Sequence, residues 1–162
     1  MVLATNAKGL LRSGVVLNVK EQDAISVGNS FLSFQTGKGY KIRLKLSCDS
    51  KSIIYLASCK RCHLQYIGSS TTDFTVRFRN QKRAMVTEKK ICEVAVNFNK
   101  TPHDLSDFSF HCIDQVQATV NNSCNIEKPS ITKEAYWNAQ LFSLAPFGLN
   151  KRQEFHLKQN KL

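Results

Sequence analysis

Six residues between Tyr55 and Asn150 have the types and the order that cutting a phosphodiester bond requires. Glu134 offers a hard carboxylate for a divalent cation, and Arg77 a cation for a phosphate. Tyr55 and Tyr66 carry phenols able to move a proton. Gly68, two residues past Tyr66, marks a bulge or a place where a ligand approaches the backbone closely. Asn150 closes the set in the run Gly148-Leu149-Asn150. Each has an ordinary alternative. Tyrosines are frequent in strands for packing reasons. Arg77 shares its segment with Arg79, Lys82 and Arg83, which reads as a solvated basic face. Glu134 lies one turn before Trp137 on a line continued by Leu141 and Leu144, where a carboxylate is costly unless paired, ligated or wet. Taken together, the six residues supply a metal ligand, a phosphate-binding cation and proton carriers.

The elements that must position them are legible in part. Tyr40, Ile42, Leu44 and Leu46 alternate with Lys41, Arg43 and Lys45, which predicts a half-buried strand with a basic outer face. That face could follow a phosphate backbone or simply be solvated. Ser52–Ala57 and Leu64–Gly68 are short, β-branched and aromatic, and predict an antiparallel hairpin around Cys59-Lys60-Arg61-Cys62-His63. A helix is expected over Thr72–Val86, with Thr71, Thr72 and Asp73 offering capping oxygens and Gln81 one turn after Arg77. Ile91–Phe98 fits helix or strand equally. Asp107–Val116 alternates and predicts a third core strand. A last helix should start near Ser130 or Thr132 and end by Ala145, because Pro146 disfavours helical geometry at the residue before it. Residues 1–39 are interrupted by glycines and read as a poorly defined lead-in, 40–155 as the working domain and 156–162 as a basic tail.

Composition narrows the partner. The chain has 162 residues, enough for one domain, and 42% apolar residues, enough for a core. Its net charge of +11 favours a polyanion over a neutral ligand. No apolar run approaches the roughly 20 residues of a spanning helix, and the segment Val15-Val16-Leu17 is too short for a secretory core. The expectation is an intracellular, nuclear protein whose six cysteines are reduced core residues or metal ligands.

The joint pattern resembles the GIY-YIG nuclease family, and more narrowly the endonuclease domain of Penelope-like retroelements. The motifs that carry the likeness are Ile53-Ile54-Tyr55, Tyr66-Ile67-Gly68-Ser69, Arg77 in Asp73–Phe78, Glu134 in Glu134-Ala135-Tyr136-Trp137, and Gly148-Leu149-Asn150. The narrower likeness rests on Cys59-Lys60-Arg61-Cys62, Asp107-Phe108-Ser109-Phe110 and the ending Leu144–Asn150, and it covers about Tyr40 to Arg152. It implies an α/β (α+β) fold with a three-stranded antiparallel sheet flanked by helices. It also implies a Mg²⁺- or Mn²⁺-dependent endonuclease that nicks DNA for integration, with a reverse transcriptase domain as partner on a longer parent. In that scheme Tyr55 or Tyr66 helps deprotonate water, Arg77 stabilises the phosphate, Glu134 holds the metal, and Asn150 orients the phosphate or the metal's waters. The alternative is a catalytically inactive nucleic-acid-binding module.

Three positions depart from the family. Ile53 stands where the family name has Gly. Gln81 stands where His is frequent, and an amide takes no proton near neutral pH. Cys59 and Cys62 have the spacing of half a structural zinc site, which the resembling domains complete with two histidines. Here His103 matches the second, and Asn97 occupies the first. His63, Cys48 or Cys92 could substitute, or the two thiols could simply be packed.

Overall fold

The computed structural model describes residues 24–26, 28–87, 92–100, 102–117 and 127–151. At its centre is β4 (Ile53–Cys59), buried at every position. It pairs antiparallel with β5 (Gln65–Ser70) on one side and β6 (Phe108–Gln115) on the other. This is the three-stranded antiparallel sheet expected from the sequence. A two-residue strand, β1 (Ile25–Ser26), adds to it in parallel on β6, giving the order β1-β6-β4-β5. A separate hairpin joins β2 (Ser30–Leu32) to β3 (Gly39–Lys41). The hairpin spans the boundary drawn at residue 40, so part of the segment read as lead-in packs with the domain. The rest of that segment, 1–23, and the tail 156–162 lie outside the described residues.

Among the described residues three longer helices, α1 (Phe74–Val86), α2 (Glu93–Lys100) and α3 (Glu127–Leu141), complete a mixed α+β fold. The unbroken burial of β4 follows from its having helices on both faces, since successive side chains alternate between them. Ile53, Tyr55, Ala57 and Cys59 pack with Phe74, Phe78 and Met85 of α1 and with Val94 and Ala95 of α2. Ile54 and Leu56 point the other way, to Ile67, Ile113, Val116, Leu141 and Phe31. There Phe31, Tyr40 and Trp137 form an aromatic triad with centroids 5.2–5.6 Å apart, which docks the hairpin on α3.

A register shift between Ile54 and Tyr55 leaves Ile113 as the extra residue of β6: Ile54 faces Asp114 while Tyr55 faces Cys112. Such a bulge re-aims the side chains beside it. Here it directs Asp114 to the α3 face, where its carboxylate accepts the Trp137 indole N–H (3.0 Å) and pairs with Lys133 (2.6 Å). Both partners flank Glu134 in sequence, so the bulge fixes the helix that carries the metal-binding candidate.

The structure corrects several boundaries. The strand expected over 40–46 pairs only through Lys41. Ile42, Leu44 and Leu46 still turn inward while Lys41, Arg43 and Lys45 stay exposed, because alternation belongs to any extended chain and a ladder needs a partner. The capping of α1 also differs from expectation. Asp73 occupies the N-cap without a side-chain bond, and the first N–H groups of the helix donate instead to the carbonyls of Ser50 (Phe74, 3.2 Å) and Cys48 (Thr75, 3.0 Å). The ambiguous 91–98 stretch is helical from Glu93. Finally, α3 begins at Glu127, three residues before Ser130, and stops at Leu141, ahead of Ala145 as expected. Phe142 adopts a left-handed φ of 54°, and Ser143 N donates back to Asn138 O. That pair of features is a Schellman-type stop, so Pro146 is not what ends the helix.

Candidate active site

Tyr55 is fully buried on β4, and three N–H groups converge on its Oη. Arg77 donates from Nε (3.1 Å) and Nη2 (2.9 Å), and Gln81 donates from Nε2 (2.9 Å). The helical spacing of four residues makes this possible, because it stacks Arg77 and Gln81 on the face of α1 that covers β4. The guanidinium also lies 5.4 Å from the centroid of the Tyr55 ring. Burial pushes the Tyr55 phenol above its ordinary pKa, against the charge and hydrogen bonds of Arg77 and the bond from Gln81. Burial by itself would depress the Arg77 guanidinium, but Tyr55 and Tyr66 outweigh it and its pKa is raised.

Tyr66 reaches the same place from β5. Pairing of Tyr55 with Gly68 and of Ala57 with Tyr66 puts the two phenol rings diagonally across the ladder, 6.2 Å apart. Gly68 is required there. A Cβ on it would lie 2.5 Å from Tyr55 Oη, 2.6 Å from Tyr55 Cζ and 2.8 Å from Tyr66 Cε1. Tyr66 is only half-buried. Burial, followed by Tyr55, Glu93 and Glu134, pushes its pKa up, and Arg77 opposes them.

Glu134 approaches from the other face of the sheet. Because side chains alternate along β5, Ser69 points away from Gly68 towards α3, and its Oγ donates to Glu134 Oε2 at 2.8 Å. Burial raises the Glu134 pKa, while the Ser69 bond and the charge of Arg77 lower it. A cleft of about 380 Å³ opens where the faces meet, lined by Ile53, Ser69, Ser70, Thr72, Arg77 and Asn80 among others. Its walls are rich in hydroxyls and hold one cation, a lining suited to phosphate oxygens.

Asn150 stands apart from this cleft and acts on β5. Its side chain accepts from Ile67 N (2.8 Å) and donates to Ile67 O (2.7 Å), while Leu149 N donates to Gln65 O (2.9 Å). The loop thereby caps the free edge of the strand that carries Tyr66 and Gly68. Gly148 allows this turn, since a Cβ there would run into the backbone of Ser143.

Tyr55, Tyr66, Gly68, Arg77 and Glu134 are therefore gathered around one sheet edge, with Asn150 behind it. Three further residues belong to the site in roles that the sequence did not assign them. Ser69, part of the second tyrosine motif, turns to Glu134 through strand alternation. Cys92, a candidate zinc ligand by type, instead donates from Sγ to Gln81 Oε1 (3.0 Å), a contact with no signature in sequence. Glu93 begins α2 and pairs with Lys151 at 3.2 Å.

The cysteine loop forms a second cluster. Cys59 Sγ, Cys62 Sγ and a His103 ring nitrogen lie within 4.8 Å of one another. Asn97 donates from Nδ2 to Cys62 Sγ at 3.4 Å, so it fills the fourth corner with an amide rather than a ligand. Burial pushes the Cys62 thiol up, but hydrogen bonds involving Asn97, the Leu64 backbone, Cys59 and His103 outweigh it, and the net direction is down. The other candidate ligands are occupied elsewhere. The His63 ring packs against Phe34 at 5.6 Å, the Cys48 side chain is buried in the core beside Thr75, and Cys92 serves Gln81. Among the described residues no helix is long and apolar enough to cross a membrane.

No protein-family model matches the chain, and no curated protein matches it. A solved structure that it is similar to is the catalytic domain of the homing endonuclease I-TevI, at a TM-score of 0.49 and 20% sequence identity. The match covers 62% of this chain and 97% of that one.

Proposed function

We propose that this chain is a metal-dependent endonuclease of the GIY-YIG type that nicks DNA, and that it derives from a Penelope-like retroelement. The observation that carries the reading is convergence: a buried Tyr–Arg pair, a second phenol and a half-buried carboxylate gather at one sheet edge, beside a hydroxyl-lined cleft that Arg77 and the Glu134 partner Ser69 line. Residues from four separate segments are needed to build it, and packing alone does not require an arginine over a buried phenol. The net charge of +11 matches a polyanionic substrate.

Glu134 fits a hard divalent cation. Ser69 takes one carboxylate oxygen, the other is available, and the adjoining cleft admits waters and phosphate oxygens. Such a cation, when bound, polarises the phosphate and stabilises charge on the leaving oxygen. The protein's own groups perform the rest. Tyr55 holds Arg77 by two of its N–H groups and presents the remainder to the cleft, where they stabilise the charge that builds on the phosphate. Tyr66, the more exposed phenol, relays a proton: its oxygen accepts one from the attacking water while its own O–H proton passes to solvent. The bond from phosphorus to the 3′ oxygen breaks, and that oxygen leaves protonated from solvent. Asn150 positions β5 and touches no substrate. The exposed 3′ end would prime a reverse transcriptase carried on a longer parent, and the setting we propose for this is the nucleus.

Cys59, Cys62 and His103 fit three corners of a structural zinc site, and we infer that they bind Zn²⁺ less tightly than a four-ligand set because Asn97 supplies no donor pair of comparable strength.

The test is nicking of supercoiled plasmid by purified protein with Mg²⁺, beside Glu134→Gln, which keeps size and removes the charge. Wild-type nicking with an intact, DNA-binding but inactive Gln variant is the expected result. Binding without nicking by both proteins would mark an inactive DNA-binding module instead. Equal nicking by both would put the metal elsewhere.

A further inference from the structure

Gln81 lies between two partners that can exchange roles. Its amide donates from Nε2 to Tyr55 Oη, and its Oε1 accepts from the Cys92 thiol at 3.0 Å. A flipped amide would instead present Oε1 to Tyr55, where it would accept the phenol's own proton, and Nε2 to sulfur. The two orientations place opposite demands on Tyr55. In the observed one all three partners of the phenol oxygen are donors, which favours the deprotonated form and the tightest hold on Arg77. In the flipped one the phenol's own proton is bound as well, and the neutral form is favoured further. An amide between a phenol and an apolar neighbour would adopt the flipped form, because the phenol is then its better acceptor-seeking partner. A thiol is a donor that can reverse this preference.

We propose that Cys92 is a positioning residue of the active site: its S–H fixes the Gln81 amide so that Tyr55 meets only donors and holds Arg77 towards the cleft. Cys92 is well placed for this. It precedes α2, is half-buried, and lines a second cleft of about 390 Å³ with Glu93, Lys100 and Lys151. The groups facing Tyr55 are Arg77 and Gln81 from α1, Tyr66 from β5, Cys112 from β6 and Cys92 itself. The sequence carries an amide where the resembling family frequently has an imidazole. The Cys92–Gln81 pair is how this chain gives that position one defined orientation.

The functional consequence rests on the nuclease reading, but the orientation does not. The experiment therefore measures both. In wild-type protein the Gln81 side-chain amide protons, assigned by their loss in Gln81→Leu, should show cross-relaxation to the Tyr55 ring. Cys92→Ala and Cys92→Val should abolish it, and Cys92→Ser, which restores an O–H donor, should keep it. Nicking should fall about tenfold in the Ala and Val variants and stay near wild type in Ser, the scale of one misdirected hydrogen bond. Persistence of the amide–ring contact in both Ala and Val variants would overturn the proposal, as would its loss in Ser while the fold is retained. Val keeps the volume of the thiol should Ala fail to fold. Absence of nicking in the wild type would defeat the nuclease reading and leave the amide result standing on its own.

Discussion

Replacing Gly68 by alanine tests the packing of the site at its tightest point. The added methyl would sit 2.5 Å from Tyr55 Oη, 2.6 Å from Cζ and 2.8 Å from Tyr66 Cε1, against an ordinary carbon contact of about 3.5–4.0 Å. Something must move by roughly 1 Å. The Tyr55 ring has little room, being fully buried with its oxygen held by Arg77 and Gln81, so the strain falls on the two rings and on the β4–β5 ladder. Overpacking of this kind typically costs about 1–3 kcal/mol. Urea denaturation should show that loss as a lower midpoint with an unchanged slope. Nicking should fall by more than stability does, on the order of 10²-fold, because a displacement of about 1 Å in the positioning groups is enough to misalign the reaction. Tyr55→Phe removes the atom that would lie closest to the methyl. The double variant should therefore be less destabilised than the sum of the two single ones, by roughly 0.5 kcal/mol or more. A Gly68→Ala protein with wild-type midpoint and wild-type nicking would refute the argument that the two rings close over this glycine, and with it the placement of Tyr55.

Three further outcomes are expected. Arg77→Ala should cut nicking by roughly 10²–10³-fold, while DNA affinity weakens far less because Arg79, Lys82 and Arg83 remain on the same helix; near-normal nicking would remove Arg77 from the site. Glu134 has a raised pKa in the folded protein, so the stability it contributes is full below its unfolded value and is lost as pH rises through the folded one. Between those two values acidification should stabilise the wild type relative to Glu134→Gln, measured as urea midpoints across the acid range, and parallel curves would show that the carboxylate is not desolvated. Cys62→Ala should lower both bound zinc by elemental analysis and the melting temperature, whereas Asn97→His should raise zinc affinity by completing four ligands; a zinc-free wild type prepared without chelators would leave two packed thiols.

Much of the core was readable because its signal is local. The strands Ile53–Cys59, Gln65–Ser70 and Phe108–Gln115 and the helix Phe74–Val86 fall close to where alternation and capping residues placed them. Failures came where the deciding contact is distant. Extended alternation at 40–46 could not reveal that the chain leaves its ladder partner after Lys41. The first N–H groups of α1 are satisfied by carbonyls from 48 and 50, which leave no mark in the capping residues themselves. The glycine-interrupted stretch before residue 40 gave no hint that Gln65 would hold Leu32 and Phe34 with its side-chain amide.

The sequence by itself determined the inventory: which groups could bind a metal, hold a phosphate or carry a proton, and that a basic chain of this size would meet a polyanion. Those are properties of residue types and of total charge, so they hold whatever the fold. Tertiary structure alone decided how the groups are used. Strand pairing opposes Gly68 to Tyr55, and helix packing turns Arg77 and Gln81 onto one phenol oxygen. A bulge in β6 directs Asp114 to the helix that carries Glu134, and a returning loop sets Asn150 on the edge of β5 instead of in the cleft. The physical reason is range. Helix and strand periods act over a few residues, whereas each of these contacts joins segments 13 to 83 residues apart in the chain, and such contacts exist only once the core has closed around them.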